Sequence, residues 1–427
     1  MRTVLFFILF HFTTLSWANL THEEQHIITA IDQNNTQALN LLEKIVNINS
    51  STDNVQGVYT VGEIVKAEFE ALGFSSEWKN PPKDMKRAGT LLLTRKGNQG
   101  KKLLLIAHLD TVFPQNSPFQ TFSRRNDFAM GPGVSDDKGG VVLLLYALKS
   151  LHAQGLLDNT TITIALVGDE ENSGKPTSIS REPLLQAAKG MDVTLDFEPN
   201  DNAHSATITR RGTAQWELVS TGNEEHSSLI FKQHIGYGAI FELARVLNEA
   251  RTQLSSQKYI TFNPGVIVGG TDAEITATTY QASGYGKLNV VAQIARAQGD
   301  MRFISVAQKE LIKKTLTDIA AHSLTGTTST ITFIDGMPPM PPTPGNQALL
   351  EMYSQVSTDL GFQPVEALPA DSSGGADISY VANTVPANLS RLGPVGSSHH
   401  SVNETMDISS FNTNTKRAAV LIYRLTR

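Results

Sequence analysis

An α/β fold with a mostly parallel sheet, interrupted by a separate α+β unit, is predicted by three features of this 427-residue chain. Short apolar runs alternate with amphipathic stretches over its first half, the pattern of strands joined by covering helices. Most of the motifs rich in acids or histidine stand just past the end of such a run. In parallel sheets that is where ligands bind. The texture changes near Ala206 and changes back after the proline-rich stretch Met337-Pro338-Pro339-Met340-Pro341-Pro342, which reads as a stiff connector.

The elements follow in order. Residues 22–49 carry apolar side chains at helical spacing (Ile27, Ile31, Leu39, Leu42, Ile45, Val46), with a break expected near Asn34-Asn35. A second helix over 58–72 should end at Gly73, a residue suited to the left-handed position after a last turn. Apolar runs at 90–93 and 103–107 read as strands, followed by a helix over 139–153, a strand over 162–167, a helix over 182–189 and a strand over 193–197. Beyond Ala206, strands are expected at 207–209, 215–221, 261–268, 288–303 and 329–334, with helices at 236–254 and 306–322. This divides the chain into the first part of one domain over 19–205, an inserted unit over 206–335 and the second part of the first domain over 336–427.

Composition narrows the function. Net charge is −6 and no long Lys/Arg run occurs, so the basic footprint of a nucleic-acid binder is missing. Cysteine is absent, which removes disulfides, thiolate metal sites and cysteine nucleophiles. Any metal must be held by His and carboxylates. Arg2, the apolar run over 4–12 and Ser16-Trp17-Ala18 have the form of a secretory signal over residues 1–18, cleaved after Ala18. The run is too short to span a bilayer comfortably. The expectation is an exported protein, periplasmic or secreted, with no membrane span after signal removal.

Five stretches carry the chemistry: His108-Leu109-Asp110, Asp136-Asp137-Lys138-Gly139-Gly140, Asp169-Glu170-Glu171, Glu198-Pro199 and His400-Ser401. Together they supply two histidines and enough carboxylates for two zinc ions, with one acid to spare. Two metals roughly 3.5–4 Å apart can act together on a water and a carbonyl oxygen, which points to amide hydrolysis. Asp110 is placed to hold the ring of His108. Asp136 is read as the bridging ligand, with Asp137 as the alternative. Glu170 is assigned as general base, Glu171 and Glu198 as ligands on different metals, and His400 as the closing ligand. A Ser-His-Asp hydrolase is disfavoured because no Gly-x-Ser-x-Gly elbow occurs where it should.

With its flanks, this ordered set resembles the di-zinc amidohydrolases that include glutamate carboxypeptidase, aminoacylase, acetylornithine deacetylase and succinyl-diaminopimelate desuccinylase. The matching motifs are His108-Leu109-Asp110-Thr111-Val112, the run from Gly131 to Gly140, Asp169-Glu170-Glu171, Phe197-Glu198-Pro199 and His400-Ser401. The Phe-Glu-Pro form is similar to the glutamate carboxypeptidase branch. The resemblance implies a phosphorylase/hydrolase-like catalytic domain and an inserted ferredoxin-like domain that makes a homodimer and closes over the site. It implies two zinc ions per subunit, with cobalt or manganese able to substitute: His108, Asp136 and Glu198 on one, Glu171, Asp136 and His400 on the other. Catalysis would fall to Glu170, with Asp110 behind His108. His226, Asn289 and Arg302 match substrate-contacting positions, His226 reaching the partner's site. The implied activity is removal of a C-terminal amino acid from a peptide or N-acyl amino acid; deacylase and dipeptidase activities use the same metals. Gly336-Met337-Pro338 stands where the glutamate branch commonly has Gly-Arg-Pro, leaving side-chain preference open.

Overall fold

The computed structural model describes residues 20–276 and 279–427. The expected signal segment, residues 1–18, lies outside them. A six-stranded sheet forms the frame, in the order Ser75–Lys79, Thr90–Arg95, Thr160–Val167, Gln99–His108, Val193–Asp196, Ala387–Leu389. Thr90–Arg95 pairs antiparallel with both neighbours, and every other pairing is parallel, so this strand alone runs against the rest. Both faces are covered, which explains the unbroken apolar runs. Leu103, Leu105 and Ala107 pack with the core under His22–Val46, Val55–Glu70, Lys138–His152 and Ile408–Leu425, while Leu104 and Ile106 join Leu184, Ile378 and Val381 on the other side.

The first helix is continuous from His22 to Val46, without the break expected near Asn34. Its buried face runs through Ile27, Ile31, Leu39, Leu42 and Ile45. The Asn34 side chain donates back to the Ala30 carbonyl at 2.8 Å, satisfying itself within the helix rather than ending it. Thr21 and Glu24 close the other end with reciprocal side-chain bonds to backbone. Val55–Glu70 gives way to Gly73 at φ +83°, the left-handed position anticipated from the sequence.

The inserted unit is a four-stranded antiparallel sheet in the order Thr261–Gly270, Ile294–Phe303, Gly212–Gly222, Thr327–Asp335. Helices Ala239–Leu254 and Val306–Ala321 pack on one face through Trp216, Leu218, Leu243, Met301 and Leu316. Strand–helix–strand–strand–helix–strand in that spatial order is ferredoxin-like. Three local expectations change. The strand expected at 207–209 is not formed: Ser205–Ala206 pairs with Glu366–Ala367, and Thr207 makes only an isolated bridge to Ser390. The strand placed at 288–303 begins at Ile294, because the segment before it turns against 225–227: Val291 N donates to Glu225 O and Ser227 N to Asn289 O, each at 2.9 Å. A hairpin of Asp272–Ile275 with Ala282–Tyr285 occupies a stretch to which the sequence assigned no element.

Candidate metal centre

Three adjacent strands place the first donors. Gln99–His108 ends on His108; on one side Thr160–Val167 leads into Asp169-Glu170-Glu171, and on the other Val193–Asp196 leads into Glu198. Asp136 comes from the turn that opens helix Lys138–His152, after a cis Asp136–Asp137 peptide bond. Gly140 lets that helix approach the sheet: a Cβ there would lie 2.0 Å from Asp137 Oδ1 and 2.2 Å from Phe197 O. His400 arrives on a loop, at φ +61°, with its side chain about half exposed.

The donors fall into two groups sharing one carboxylate. His108 Nε2 lies 3.0 Å from Asp136 Oδ1 and 3.8 Å from Glu198 Oε1. His400 Nε2 lies 3.2 Å from Asp136 Oδ2 and 3.2 Å from Glu171 Oε2. Ligands about 2.0–2.1 Å from one tetrahedral zinc stand roughly 3.3–3.4 Å from each other, so these spacings suit two ions with Asp136 between them. Asp137 is turned away: its Oδ2 accepts from His108 N at 3.1 Å, and its Oδ1 has no hydrogen-bond partner among the described residues. Of the two acids left open by the sequence, Asp136 is the one whose oxygens meet both histidines.

Asp110 does more than back His108. The His108 Nδ1 faces Asp110 O at 3.1 Å and Asp110 Oδ1 at 3.3 Å. The same carboxylate accepts from Glu170 N at 3.0 Å, Glu171 N at 3.1 Å and Thr52 Oγ1 at 2.6 Å. One buried acid therefore orients the His108 ring and holds the turn that carries Glu170 and Glu171. The Glu170 carboxylate makes no hydrogen bond among the described residues, yet its oxygen, His108 and Glu198 donors all lie within 4.8 Å of one another. It is close to the centre and uncommitted.

The electrostatics select positive charge. Burial pushes the Asp136 carboxyl up, but hydrogen bonds from His108 and His400 outweigh it and hold it well below the ordinary range. Burial lowers the His108 pKa, and Asp110 and Asp136 more than reverse that; Asp136 and Glu171 raise His400 to about 11. Burial next to other acids raises Glu170 well above its usual value and Glu171 to about 7. Acids packed this closely, with histidines pulled toward the cationic form, fit a pocket made for divalent cations.

A cavity of about 230 Å³ opens over these groups, walled by Asp136, Glu170, Glu198, Arg210, Gly375 and His400 among others. His226, Asn289 and Arg302 are not in that wall. His226 and Asn289 are exposed neighbours at one end of the inserted unit, and Arg302, half exposed, pairs with Asp300 at 3.2 Å on its sheet. Several site residues carried no sequence signal. Arg181 is fully buried and uses all five N–H groups: on Asp377 Oδ1, Asp169 Oδ1 and O, Ser173 Oγ and Ser180 Oγ, at 2.5–3.0 Å. It clamps the Asp169–Gly174 turn from behind. Arg210 donates to Ser390 Oγ at 3.0 and 2.7 Å and approaches Glu198 Oε2 at 3.9 Å. Glu404 is buried beneath the Asp136 loop. Each acts across a long sequence separation, where spacing rules do not reach.

The signature of peptidase family M20/M25/M40 matches residues 104–424, a span that includes every metal-ligand candidate. The chain belongs to that family. It is accordingly a metallo-hydrolase acting on amide bonds. Among relatives, carboxypeptidase G2 of Pseudomonas sp. (strain RS-16) is 27% identical over 395 residues, covering 90% of this chain and 88% of its own. Succinyl-diaminopimelate desuccinylase of Variovorax paradoxus (strain S110) is 24% identical over 400 residues, covering 88% and 95%. Of solved structures, the Bacillus subtilis YXEP protein, a dinuclear metal-binding peptidase of the M20 family, superposes with a TM-score of 0.63 at 14% identity, over 92% of this chain and 99% of its own. The M20 fold thus carries the donors described above.

Proposed function

We propose that this protein is an exported zinc exopeptidase that hydrolyses the amide bond preceding a C-terminal amino acid, in the manner of a glutamate carboxypeptidase. The observation that carries the reading is the division of Asp136 between His108 and His400, with Glu170 left free beside them. His108, Asp136 and Glu198 would hold one ion, and Asp136, Glu171 and His400 the other. Two such ions supply Lewis acidity toward a carbonyl oxygen and lower the pKa of water. Glu170 takes the proton of the attacking water and passes it to the departing nitrogen, a role suited to a carboxylate that stands beside the donors without a hydrogen bond of its own among the described residues. Asp110 keeps His108 and the Glu170 turn in register. His226, Asn289 and Arg302 are assigned to the substrate's carboxyl end, with His226 serving the partner's site in a homodimer formed through the inserted unit.

N-acyl-amino-acid deacylation is the second reading. It is favoured by Met337, a neutral side chain packed on Gly375 of the cavity wall, and by the similarity to the desuccinylase. Glu170→Gln is the shared test of mechanism: it should keep both zinc ions and abolish turnover, and normal activity removes Glu170 from the base role. For the dimer, mixing His226→Ala and Glu170→Gln subunits should restore part of the activity; none in verified heterodimers refutes the cross-subunit role. Export predicts a mature chain beginning at Asn19; an exported product that retains Met1 contradicts it.

A further inference from the structure

Glu404 is fully buried, four residues beyond His400, on a different loop from Asp136. Its carboxylate nevertheless accepts four hydrogen bonds from the segment leading into Asp136. Oε1 takes Ser135 N at 2.9 Å, Ser135 Oγ at 3.0 Å and Asp136 N at 3.1 Å; Oε2 takes Gly133 N at 3.0 Å. Successive backbone N–H groups converging on one anion are a strong and directional arrangement. Gly133 sits at φ +77°, a backbone geometry that helps this loop curl around the carboxylate.

The other end is held as well. Glu404 N donates to Ser401 O at 3.0 Å, and Ser401 N to Ser398 O at 3.2 Å, so the loop bearing His400 is folded onto itself. His400 and Ser398 both occupy the left-handed region, φ +61° and +56°, which non-glycine residues hold only when their surroundings compel it. Immediately after Glu404, the short strand Thr405–Asp407 pairs with Phe128–Met130, which leads directly to the Gly131–Asp136 loop. The strand pair brings the loops alongside, and Glu404 joins them at the end nearest the donors.

We propose that Glu404 is a positioning residue that locks the Asp136 loop to the His400 loop, setting the gap between two ligands of the same ion. This rests on the dinuclear reading above. Without the carboxylate, Asp136 keeps its side chain but loses the backbone anchor that aims it at His400. The consequence is read in ion affinity rather than in fold.

The test is a zinc titration against a competing chelator on the full chain, with the unfolding midpoint of the chelator-treated protein recorded beside it. Glu404→Gln keeps shape and most of the accepted bonds, but it removes the charge and sets an amide against one N–H. It should weaken zinc binding by about 10–100-fold, the usual effect of losing a group that orients a ligand, while the midpoint of chelator-treated protein moves little. Ser135→Ala, which deletes one of the four bonds together with the Ser135 Oγ contact to His399 Nδ1 at 3.2 Å and keeps the loop backbone, should weaken binding by about 2–10-fold and covers the case in which the first variant fails to fold. Wild-type zinc affinity in either folded variant overturns the proposal, as does a loss that only follows lowered stability. A wild-type protein that takes up no zinc in the same titration overturns the dinuclear reading itself, so the two failures are distinguishable.

Discussion

Asp110→Asn is the sharpest perturbation of the centre, because the four groups on that carboxylate determine how the amide must sit. Oδ1 receives Glu170 N at 3.0 Å and faces His108 Nδ1 at 3.3 Å, both of which need an acceptor. Oδ2 receives Thr52 Oγ1 at 2.6 Å and Glu171 N at 3.1 Å. A threonine hydroxyl can turn round and accept; a backbone N–H cannot. The new NH2 therefore takes the Oδ2 position, Thr52 reverses, and Glu171 N alone is left unpaired. That costs about 1–3 kcal/mol of stability. The lost charge also weakens the grip on His108, for which about a 10–100-fold drop in ion affinity is expected. Urea unfolding measures the first effect and chelator competition the second. A folded Asp110→Asn protein with unchanged zinc affinity and unchanged stability refutes the role assigned to Asp110.

Three further outcomes follow from the packing. Arg181→Met leaves Asp169 and Asp377 buried without their shared cation, and should destabilise by about 3–5 kcal/mol in urea unfolding; a loss below 1 kcal/mol contradicts the clamp. Gly140→Ala normally gains about 1 kcal/mol of helix propensity, but here the added Cβ meets Asp137 Oδ1 and Phe197 O, so the sign should reverse to a loss of about 1–3 kcal/mol. Burial raises the Glu242 pKa, but bonds from Arg245, Leu324 N and Ser329 outweigh it and depress it below the ordinary 4.5. A depressed folded pKa means stability present above 4.5 and lost as pH falls through the folded value. The stability gap between wild type and Glu242→Gln should therefore hold near neutral pH and shrink as the pH falls below 4.5; a gap that widens in acid contradicts the sign.

Much of this was legible in the sequence because strands and ligands obey short-range rules. A donor just past an apolar run, as at His108 and Glu198, marks the carboxyl end of a buried strand, and adjacent strands then bring such donors together. The inserted unit announced itself through the change of texture near Ala206 and the proline-rich stretch at 337–342, and in the folded chain Gly212–Gly222 alternates buried and outward residues. What escaped depends on partners remote in sequence. Arg181 and Glu404 stand in unremarkable polar stretches, and only the folded chain brings Asp377 to one and Ser135 to the other. Asn34 misled because asparagine disfavours helices in isolation, while here tertiary packing of the apolar face decides. The 272–285 hairpin has little to bury and so little periodicity to read: Ala282–Tyr285 is exposed throughout.

The decisive property of this protein is whether ions in the Asp136 site drive release of a C-terminal amino acid. Mass-spectrometric product profiling of the purified protein on dipeptides and N-acyl amino acids, before chelation, after it and after zinc return, measures that directly. Release of the free C-terminal amino acid, lost on chelation and regained with zinc, is the predicted result. Amide cleavage that survives complete metal removal would contradict the central claim.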